Sequence, residues 1–310
     1  MQIVFMGTSS FALPALETLA SSKHKVALVV TQPDRPRGRG KKVSPTPVKE
    51  KALELGLPVI TPPKLKEVAE EIRALDPHLI VVVSFGQILP PSILQIPSLG
   101  CLNIHPSLLP RYRGAAPIQR VLMEGERETG VTIMWMNERL DAGDIFLQER
   151  TPIHPEETYG ELHDRLAVEG AGLLMKAIEM LERGEKRALP QREEEATYAP
   201  PIRKEETRLT WDSPARALHN TVRGLSPTPG ASLPGPRGPV KVLRTRVVEG
   251  LQGAPGEVLE AHPRKGTLIV ACREGAVEIL QIQPPGKKAM DGASFVRGYQ
   301  PRKGEVWQTW

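Results

Sequence analysis

The sequence has few cysteines and no long hydrophobic run. Only two cysteines, Cys101 and Cys272, occur among the 310 residues, far apart and without a Cys-x-x-Cys pairing. This disfavours a disulfide framework or a cysteine-built zinc site and favours a reducing cytoplasm. Most of the seven histidines lack the spacing of metal ligands, so no metal site is predicted. No apolar run approaches the roughly 20 residues that span a bilayer, and the first ten residues lack the basic segment of an export signal, so a cytoplasmic protein outside the membrane is expected.

The net charge of +5 is concentrated in the second part of the chain. Residues 205–310 contain fifteen Lys and Arg against ten Asp and Glu, whereas the residues before them contain twenty-six of each. A basic second part suggests contact with a polyanion, although a solvated, mildly basic surface would give the same count. A length of 310 residues exceeds that of most single hydrophobic cores, so two domains are expected.

The first half alternates apolar strands with amphipathic helices, a pattern typical of the α/β class. Residues 3–6, 26–30 and 79–83 are short apolar strands, and such strands are usually covered by helices on both faces of a parallel sheet. We therefore predict a Rossmann-like, doubly wound, mostly parallel sheet. The first strand-to-helix turn, Gly7–Ser10, has one glycine instead of the GxGxxG fingerprint, so dinucleotide binding is disfavoured.

The last third of the chain has a different pattern. Beyond Arg223, short β runs alternate with Gly and Pro turns, which predicts a small, OB-like β-barrel. Before the barrel, Leu209–Trp211 is expected to form a short strand. Ser213 and Pro214 are expected to open a helix as its N-cap and first residue. The predicted domains are an N-terminal domain over 1–189, a linker over 190–205 and a C-terminal β-barrel domain over 206–310.

One stretch concentrates side chains that suit chemistry. An apolar strand, Cys101–Ile104, runs into the proline-bounded loop Pro106–Pro110, and ligands of open α/β sheets bind beyond the carboxyl ends of strands. Because alternate strand residues share a face, Asn103 and His105 are expected to project together. Such a pair can bind a ligand, or it can be a satisfied structural pair.

A carboxylate follows in the next unit of the chain. Gly130–Met136 is rich in β-formers, and the turn Asp141–Asp144 comes after it. A predicted helix over 115–124 allows the chain to return, so that the second strand lies near the first. This arrangement would bring Asp141 toward the imidazole of His105.

The segment Thr31–Pro47 is strongly basic. Its core, from Arg35 to Lys42, has five positive charges in eight residues and no acidic residue. Glycine and proline prevent a helix there, so a mobile surface loop is predicted. Arginine and lysine on such a loop suit phosphate contacts, although a charge run of this kind is often only solvated.

These motifs together resemble the folate-dependent formyltransferases. The resemblance rests on N-I-H-P-S-L-L-P, R-G-A-A-P-I-Q and L-D-A-G-D in that order, and it continues through TQPDRPRGRGKKVSPTPVK, VVVSFGQILP and QPPGKKAM. It therefore spans essentially the whole chain. In that family the matching Asn, His and Asp form the catalytic group, which implies this role for Asn103, His105 and Asp141.

The resemblance also implies residues that bind the substrates. Two segments are expected to bind 10-formyltetrahydrofolate, through Gln87, Ile88, Leu89, Ser107, Leu108, Leu109 and Pro110. The basic loop is expected to contact the acceptor end of a tRNA, and the GKKAM motif to add phosphate contacts. The residues concerned are Arg35, Arg37, Arg39, Lys41, Lys42, Lys287 and Lys288.

The implied function is transfer of a formyl group from 10-formyltetrahydrofolate to the α-amino group of the methionine on initiator tRNA, by a monomer without a metal. Asn103 would donate to the developing oxyanion, and His105 would support the oxyanion or take the amine proton. Asp141 would orient His105 and favour its protonated form. Ser107 has no evident base, so it is interpreted as loop structure or a folate contact.

Three other functions stay open at this point. Formylation of a small amine, such as glycinamide ribonucleotide or an amino sugar, fits the Asn-x-His motif but needs no basic surface. Hydrolysis of formyltetrahydrofolate would use water as the acceptor, and a non-catalytic RNA-binding module would explain only the charge. The segment Ser226–Ser232 departs from the family pattern, which puts in doubt how that segment meets the acceptor arm.

Overall fold

A computed structural model of the chain describes residues 1–37 and 42–307. These residues form two compact units that interleave along the sequence. The first unit contains residues 1–114, 129–151 and 163–198, and the second contains 115–128, 152–162 and the residues from 199 onward. The domain boundaries given above stay a prediction, but part of the predicted linker, residues 190–198, belongs to the first unit.

The regular elements have the following bounds. The strands are β1 (Gln2–Gly7), β2 (Lys25–Val30), β3 (Arg35–Arg37), β4 (Lys42–Ser44), β5 (Val59–Ile60), β6 (Leu79–Val83), β7 (Gly100–His105), β8 (Glu128–Trp135), β9 (Ile145–Pro152), β10 (Ala231–Gly235), β11 (Gly238–Val248), β12 (Val258–His262), β13 (Thr267–Ala271), β14 (Ala276–Gln283) and β15 (Met290–Asp291). The helices are α1 (Leu13–Ala20), α2 (Pro47–Glu54), α3 (Ala69–Ala74), α4 (Pro91–Leu94), α5 (Pro117–Met123), α6 (Tyr159–Glu182), α7 (Ala215–Leu225) and α8 (Gly292–Tyr299).

The first unit is built on a seven-stranded sheet in the order β5-β2-β1-β6-β7-β8-β9. The strands from β5 to β7 pair in parallel, and β8 pairs antiparallel with β7. Both faces are covered, because Val4 and Met6 lie in one apolar cluster while Ile3 and Phe5, which alternate with them along β1, are equally buried. The predicted mixed α/β class with a mostly parallel sheet is confirmed.

Helix α6 covers one face of β7, and the side chains of Asn103 and His105 lie on the other face. A Cβ added at Gly170 would lie 2.8 Å from Ile104 Cγ2 and 3.3 Å from Val131 Cγ1, so the helix lies tightly against the sheet. Ile104 alternates with Asn103 and His105 along the strand. The polar pair is therefore left on the other face of β7.

The described residues of the basic segment include two short strands that the sequence does not predict. Strands β3 and β4 pair antiparallel, with Pro36 opposite Val43. A two-stranded ribbon tolerates a proline because its outer edge needs no hydrogen-bond donor. The base of the segment is closed by a buried hydrogen bond of 2.7 Å between the hydroxyls of Thr31 and Thr46.

The second unit contains a six-stranded antiparallel sheet. Its order is β10-β11-β14-β13-β12, with β15 paired to β14, which confirms an antiparallel β-sheet in this part of the chain. Closure into an OB-like barrel stays a prediction. Within the described residues, no helix is long and apolar enough to cross a membrane.

Two local predictions in this unit are wrong. Residues 209–211 form no strand, and Trp211 is instead fully buried in the core, where its Nε1 donates to Pro234 O at 3.0 Å. Helix α7 begins at Ala215 with Pro214 at its N-cap, and no side chain caps it. Proline has no hydroxyl or carboxylate to accept the first helical N–H groups, so those groups are satisfied elsewhere, for example by Glu274 O, which accepts from Ala215 N.

An ion pair in the second unit makes its stability depend on pH. The Arg120 guanidinium, with help from the Arg203 main-chain N–H, lowers the pKa of Glu206 to about 2. Because the folded pKa lies below that of the unfolded chain, this stabilisation is complete above about pH 4.5 and is lost as the pH falls toward 2. We expect Glu206→Gln to lower the free energy of unfolding by about 1–2 kcal/mol at pH 7, as measured by urea titration.

The exposed neighbour Glu205 provides the control for this prediction. Glu205→Gln removes the same charge without an ion pair and should leave stability within about 0.5 kcal/mol of wild type. The difference in the free energy of unfolding between Glu206→Gln and wild type should become smaller as the pH falls from 5 to 3. A difference that stays constant over this range would show that the carboxylate of Glu206 is not held ionised by Arg120.

Candidate active site

Strand β7 carries the two polar residues that the sequence singles out. Asn103 lies opposite Val82 of β6 and Met134 of β8, and His105 is the last residue of the strand. Both neighbours of Asn103 are therefore apolar, whereas His105 lies opposite the polar Thr132. His105 is 5% exposed, whereas Asn103 is partly exposed.

The hydrogen bond of His105 fixes which ring nitrogen carries a proton. Nε2 lies 2.9 Å from the main-chain carbonyl oxygen of Tyr112. A carbonyl oxygen only accepts, so Nε2 must donate, and Nδ1 is left as the nitrogen that gains and loses a proton. The imidazole is therefore oriented by a backbone carbonyl.

Asp141 faces the other nitrogen of the same ring. Its Oδ2 lies 3.7 Å from His105 Nδ1 and accepts a hydrogen bond of 2.8 Å from Gly114 N. The distance of 3.7 Å allows an ion pair with a protonated imidazole but is too long for a hydrogen bond. Asp141 therefore lies within ion-pair distance of the imidazole, and the hydrogen bond that orients the ring is the one to Tyr112 O.

The side-chain amide of Asn103 is available to a ligand. Among residues 1–37 and 42–307 it has no hydrogen-bond partner. Asn103 and His105 share one face of β7, so an N–H donor and a proton acceptor point to the same side of the sheet. This pairing suits a reaction in which an oxygen gains negative charge while a nitrogen loses a proton.

The proline-bounded loop is held by side chains of β8 and β9. Thr132 Oγ1 donates to Ser107 O at 2.7 Å, and Gln148 Nε2 donates to Leu109 O at 3.0 Å. The Ser107 hydroxyl donates to Arg111 O at 2.7 Å and is fully buried, which supports its interpretation as loop structure. Leu108 and Pro110 are partly exposed and Leu109 is buried.

The second predicted folate segment divides into three environments. Gln87 bridges to a neighbouring loop, with its Oε1 accepting from Leu65 N at 3.0 Å and its Nε2 donating to Pro62 O at 3.3 Å. Leu89 is buried in the apolar cluster on this face of the sheet. Ile88 is 84% exposed, an unusual position for a large apolar side chain, so of the three it is the one open to a ligand.

The predicted tRNA contacts belong to both units. Arg35 donates to Gln32 Oε1 at 3.1 Å, and the main chains of Arg37 and Lys42 are register partners in the β3–β4 pair. Lys287 and Lys288 are exposed in the second unit. Arg39 and Lys41 lie outside the described residues.

In the described part of the chain, neither a reactive thiol nor a metal-binding cluster accompanies Asn103, His105 and Asp141. Cys101 lies on the same face of β7 as Asn103, but burial raises the pKa of its thiol to about 12, so it stays protonated. No three His, Cys, Asp or Glu side chains are arranged there to hold a metal ion.

Several residues that support this geometry have no signature in the sequence. Tyr112 and Gly114 act through main-chain atoms, and Gln191 reaches the Asp141 turn from fifty residues away. The sequence offers one signal of these contacts: the glycines near Asp141 and Arg113, which permit a close approach of two backbones. The polar segment that contains Gln191 has the composition of an ordinary linker, so the sequence does not single out Gln191.

Comparison with known proteins identifies the family of this chain. Residues 1–178 match the family described as formyl transferase, and residues 201–300 match its C-terminal domain. The chain belongs to the formyl transferase family. A methionyl-tRNA formyltransferase from Moorella thermoacetica is 50% identical over 309 residues, which cover 99% of each chain.

Solved structures share the fold of this family member at lower identity. An N-formyltransferase from Helicobacter canadensis has a TM-score of 0.67 at 18% identity, with 89% of this chain and 97% of that chain covered. HypX from Aquifex aeolicus also has a TM-score of 0.67, at 22% identity, covering 96% of this chain but 47% of that one. These likenesses concern the fold.

Proposed function

We propose that this protein transfers the formyl group of 10-formyltetrahydrofolate to the α-amino group of the methionine carried by initiator tRNA. The observation that carries the proposal is the 50% identity, over 99% of both chains, to a methionyl-tRNA formyltransferase. The arrangement of Asn103, His105 and Asp141 supports it, because each has the chemical character that formyl transfer to an amine requires. A monomer in the cytoplasm is part of the proposal.

The residues of the first unit fit a folate. The HypX and Helicobacter canadensis structures were solved with tetrahydrofolic acid and folinic acid respectively, which supports a folate on this fold. In this chain, exposed Ile88 offers an apolar surface and the Asn103 amide offers an unpaired N–H. When bound, 10-formyltetrahydrofolate supplies a carbonyl carbon attached to nitrogen. Asn103 is then the donor to its oxygen, and loss of such a donor costs roughly 10²- to 10³-fold in rate.

His105 transfers the proton of the attacking amine to the leaving group. Its Nε2–H stays on Tyr112 O, so the proton is taken up at Nδ1 and is returned from there to N10 of tetrahydrofolate as the bond between N10 and the formyl carbon breaks. The carboxylate of Asp141, 3.7 Å away, stabilises the resulting imidazolium. Gly114 N holds that carboxylate in place. None of these steps needs a covalent bond to the protein.

The basic residues support a tRNA as the carrier of the amine. Lys287 and Lys288 are exposed, and the C-terminal part holds the excess positive charge. A small amine would not need these cations, whereas a polyanion releases counterions when lysines and arginines bind its phosphates. Arg35, Arg37, Arg39, Lys41 and Lys42 are proposed to add contacts near the acceptor end.

The test is to supply 10-formyltetrahydrofolate with one acceptor at a time and follow the formylated product by mass. The acceptors are methionyl-tRNA, glycinamide ribonucleotide, an amino sugar and water. We expect formylmethionyl-tRNA as the dominant product. Raising the salt concentration from 50 to 200 mM should raise KM for methionyl-tRNA by roughly tenfold or more.

Three results would contradict the proposal. Faster formylation of either small amine would make tRNA a secondary substrate, and a KM for methionyl-tRNA that does not change with salt would remove the role of the basic residues. Release of formate without an amine acceptor would instead indicate a hydrolase. The enzyme without folate serves as the blank.

A further inference from the structure

The side chain of Gln191 is tied to the turn that carries Asp141. Its Nε2 donates to Asp141 O at 2.8 Å and to Gly143 O at 2.7 Å. Its Oε1 accepts from Arg113 Nε at 3.0 Å and from Arg113 Nη2 at 2.8 Å. Both amide hydrogens and both lone pairs are therefore used, which leaves Gln191 no alternative partner in this position.

Arg113 is itself fixed. Its side chain is 2% exposed and forms an ion pair with Glu193, with Nη1 3.0 Å from Oε2. The planar guanidinium thus contacts Gln191 along one edge and Glu193 along another, a geometry that a lysine cannot reproduce. A main-chain hydrogen bond of 2.9 Å from Arg113 N to Thr197 O adds a second link to the same segment.

The main chain beside Arg113 contacts both members of the His105–Asp141 pair. Tyr112 O accepts from the imidazole, and Gly114 N donates to the Asp141 carboxylate. The Arg113 side chain returns to the Asp141 turn through Gln191. Hydrogen bonds and the Arg113 main chain therefore form a closed ring through the turn and the carboxylate, and the imidazole is joined to this ring at Tyr112 O.

The turn needs this support because of its backbone conformation. Asp141 has a φ of +47°, a left-handed conformation that residues other than glycine adopt only occasionally, asparagine and aspartate most often among them. Such a conformation persists only where surrounding contacts hold it. Gln191 binds the carbonyl oxygens on both sides of this turn.

We propose that Gln191 and Arg113 are positioning residues, which hold the Asp141 carboxylate at its ion-pair distance from His105 Nδ1. This inference rests on the function proposed above. Neither residue touches the reacting atoms, so their effect passes through Asp141. Loss of the positioning should lower kcat and leave KM for methionyl-tRNA unchanged.

The test uses Gln191→Glu, which keeps the size and the contact with Arg113 but replaces the two N–H donors by an oxygen facing two carbonyls. We expect kcat to fall about 10- to 100-fold, as for a displacement of about 1 Å. Combined with Asp141→Asn, the change should cost little more than Asp141→Asn alone, because both act on the same carboxylate. Gln95→Glu, at an exposed position in the same unit, is the matched control and should keep wild-type kcat.

Arg113→Lys provides a second variant should Gln191→Glu fail to fold. It keeps the charge and loses the second contact with Gln191, and it should show the same loss of kcat and the same non-additivity with Asp141→Asn. Full activity of either folded variant, or losses that multiply with that of Asp141→Asn, would overturn the inference.

A crystal structure of the Gln191→Glu variant tests the inference without any substrate. We expect the distance between His105 Nδ1 and Asp141 Oδ2 to exceed its present 3.7 Å. An unchanged distance would overturn the positioning role whatever the enzyme formylates. Absence of methionyl-tRNA formylation by the wild type would instead overturn the proposed function.

Discussion

His105→Ala is expected to lower kcat for formyl transfer by about 10²- to 10⁴-fold, the usual contribution of a positioned acid–base group. The substitution removes the nitrogen that accepts the amine proton and leaves Asp141 without a cation to stabilise. KM for methionyl-tRNA should change little, because His105 is nearly buried and makes its protein hydrogen bond to Tyr112. Single-turnover measurement of formylmethionyl-tRNA gives the rate.

Removal of a buried imidazole also affects folding, and the experiment must separate the two effects. The Tyr112 carbonyl loses its donor, which costs about 1–3 kcal/mol of stability. Activity is therefore compared at a temperature where both proteins are folded by circular dichroism. His78→Ala is the matched control. His78 is exposed and lies just before the first residue of β6, whereas His105 is the last residue of the neighbouring strand β7. A folded His105→Ala variant with near-wild-type kcat would refute the catalytic role.

Gly143→Ala is expected to lower kcat by about 10²-fold although Gly143 has no catalytic group. A Cβ at this position would lie 1.6 Å from Trp135 O, a backbone atom that cannot move away as the end of a flexible side chain could. The turn from Asp141 to Gly143 would have to move, and it would carry the carboxylate away from His105. A displacement of about 1 Å in a catalytic group is enough for this loss.

Gly172→Ala is the control for this substitution. Gly172 lies in α6 of the same unit, and nothing lies within 4 Å of the Cβ that alanine would add. Alanine is favoured over glycine in a helix by about 1 kcal/mol, so this variant should be as stable as wild type or more so, with unchanged kcat. Equal kcat for Gly143→Ala and Gly172→Ala would mean that the Asp141 turn tolerates the displacement or plays no part in the reaction.

The sequence predicts those features of the fold that follow from residue pattern. The apolar runs of β1, β2 and β6 identify the parallel sheet, and alternation along β7 places Asn103 and His105 on one face. The nearness of Asp141 to His105 was expected from a returning helix, and the structure places them 3.7 Å apart. Their catalytic roles stay predictions until the variants are measured.

The features that the sequence does not predict depend on contacts between distant residues. Gln191 belongs to a polar, charged stretch that local composition cannot distinguish from a linker, yet it holds the Asp141 turn. The orienting contact on His105 comes from a main-chain carbonyl, an atom that every residue has. Leu89 is predicted to contact folate, and its burial in the apolar cluster of the sheet is a tertiary feature that its loop sequence does not reveal.

The central claim is that His105 keeps a hydrogen on Nε2 and exchanges its catalytic proton at Nδ1, facing Asp141. Nitrogen-15 NMR of the enzyme labelled at histidine tests this claim directly, with His105→Ala identifying the signals. The account predicts that Nε2 of His105 has the shift of a protonated nitrogen throughout a pH titration, while Nδ1 alone changes. Loss of the Nε2 proton in the neutral ring would contradict it.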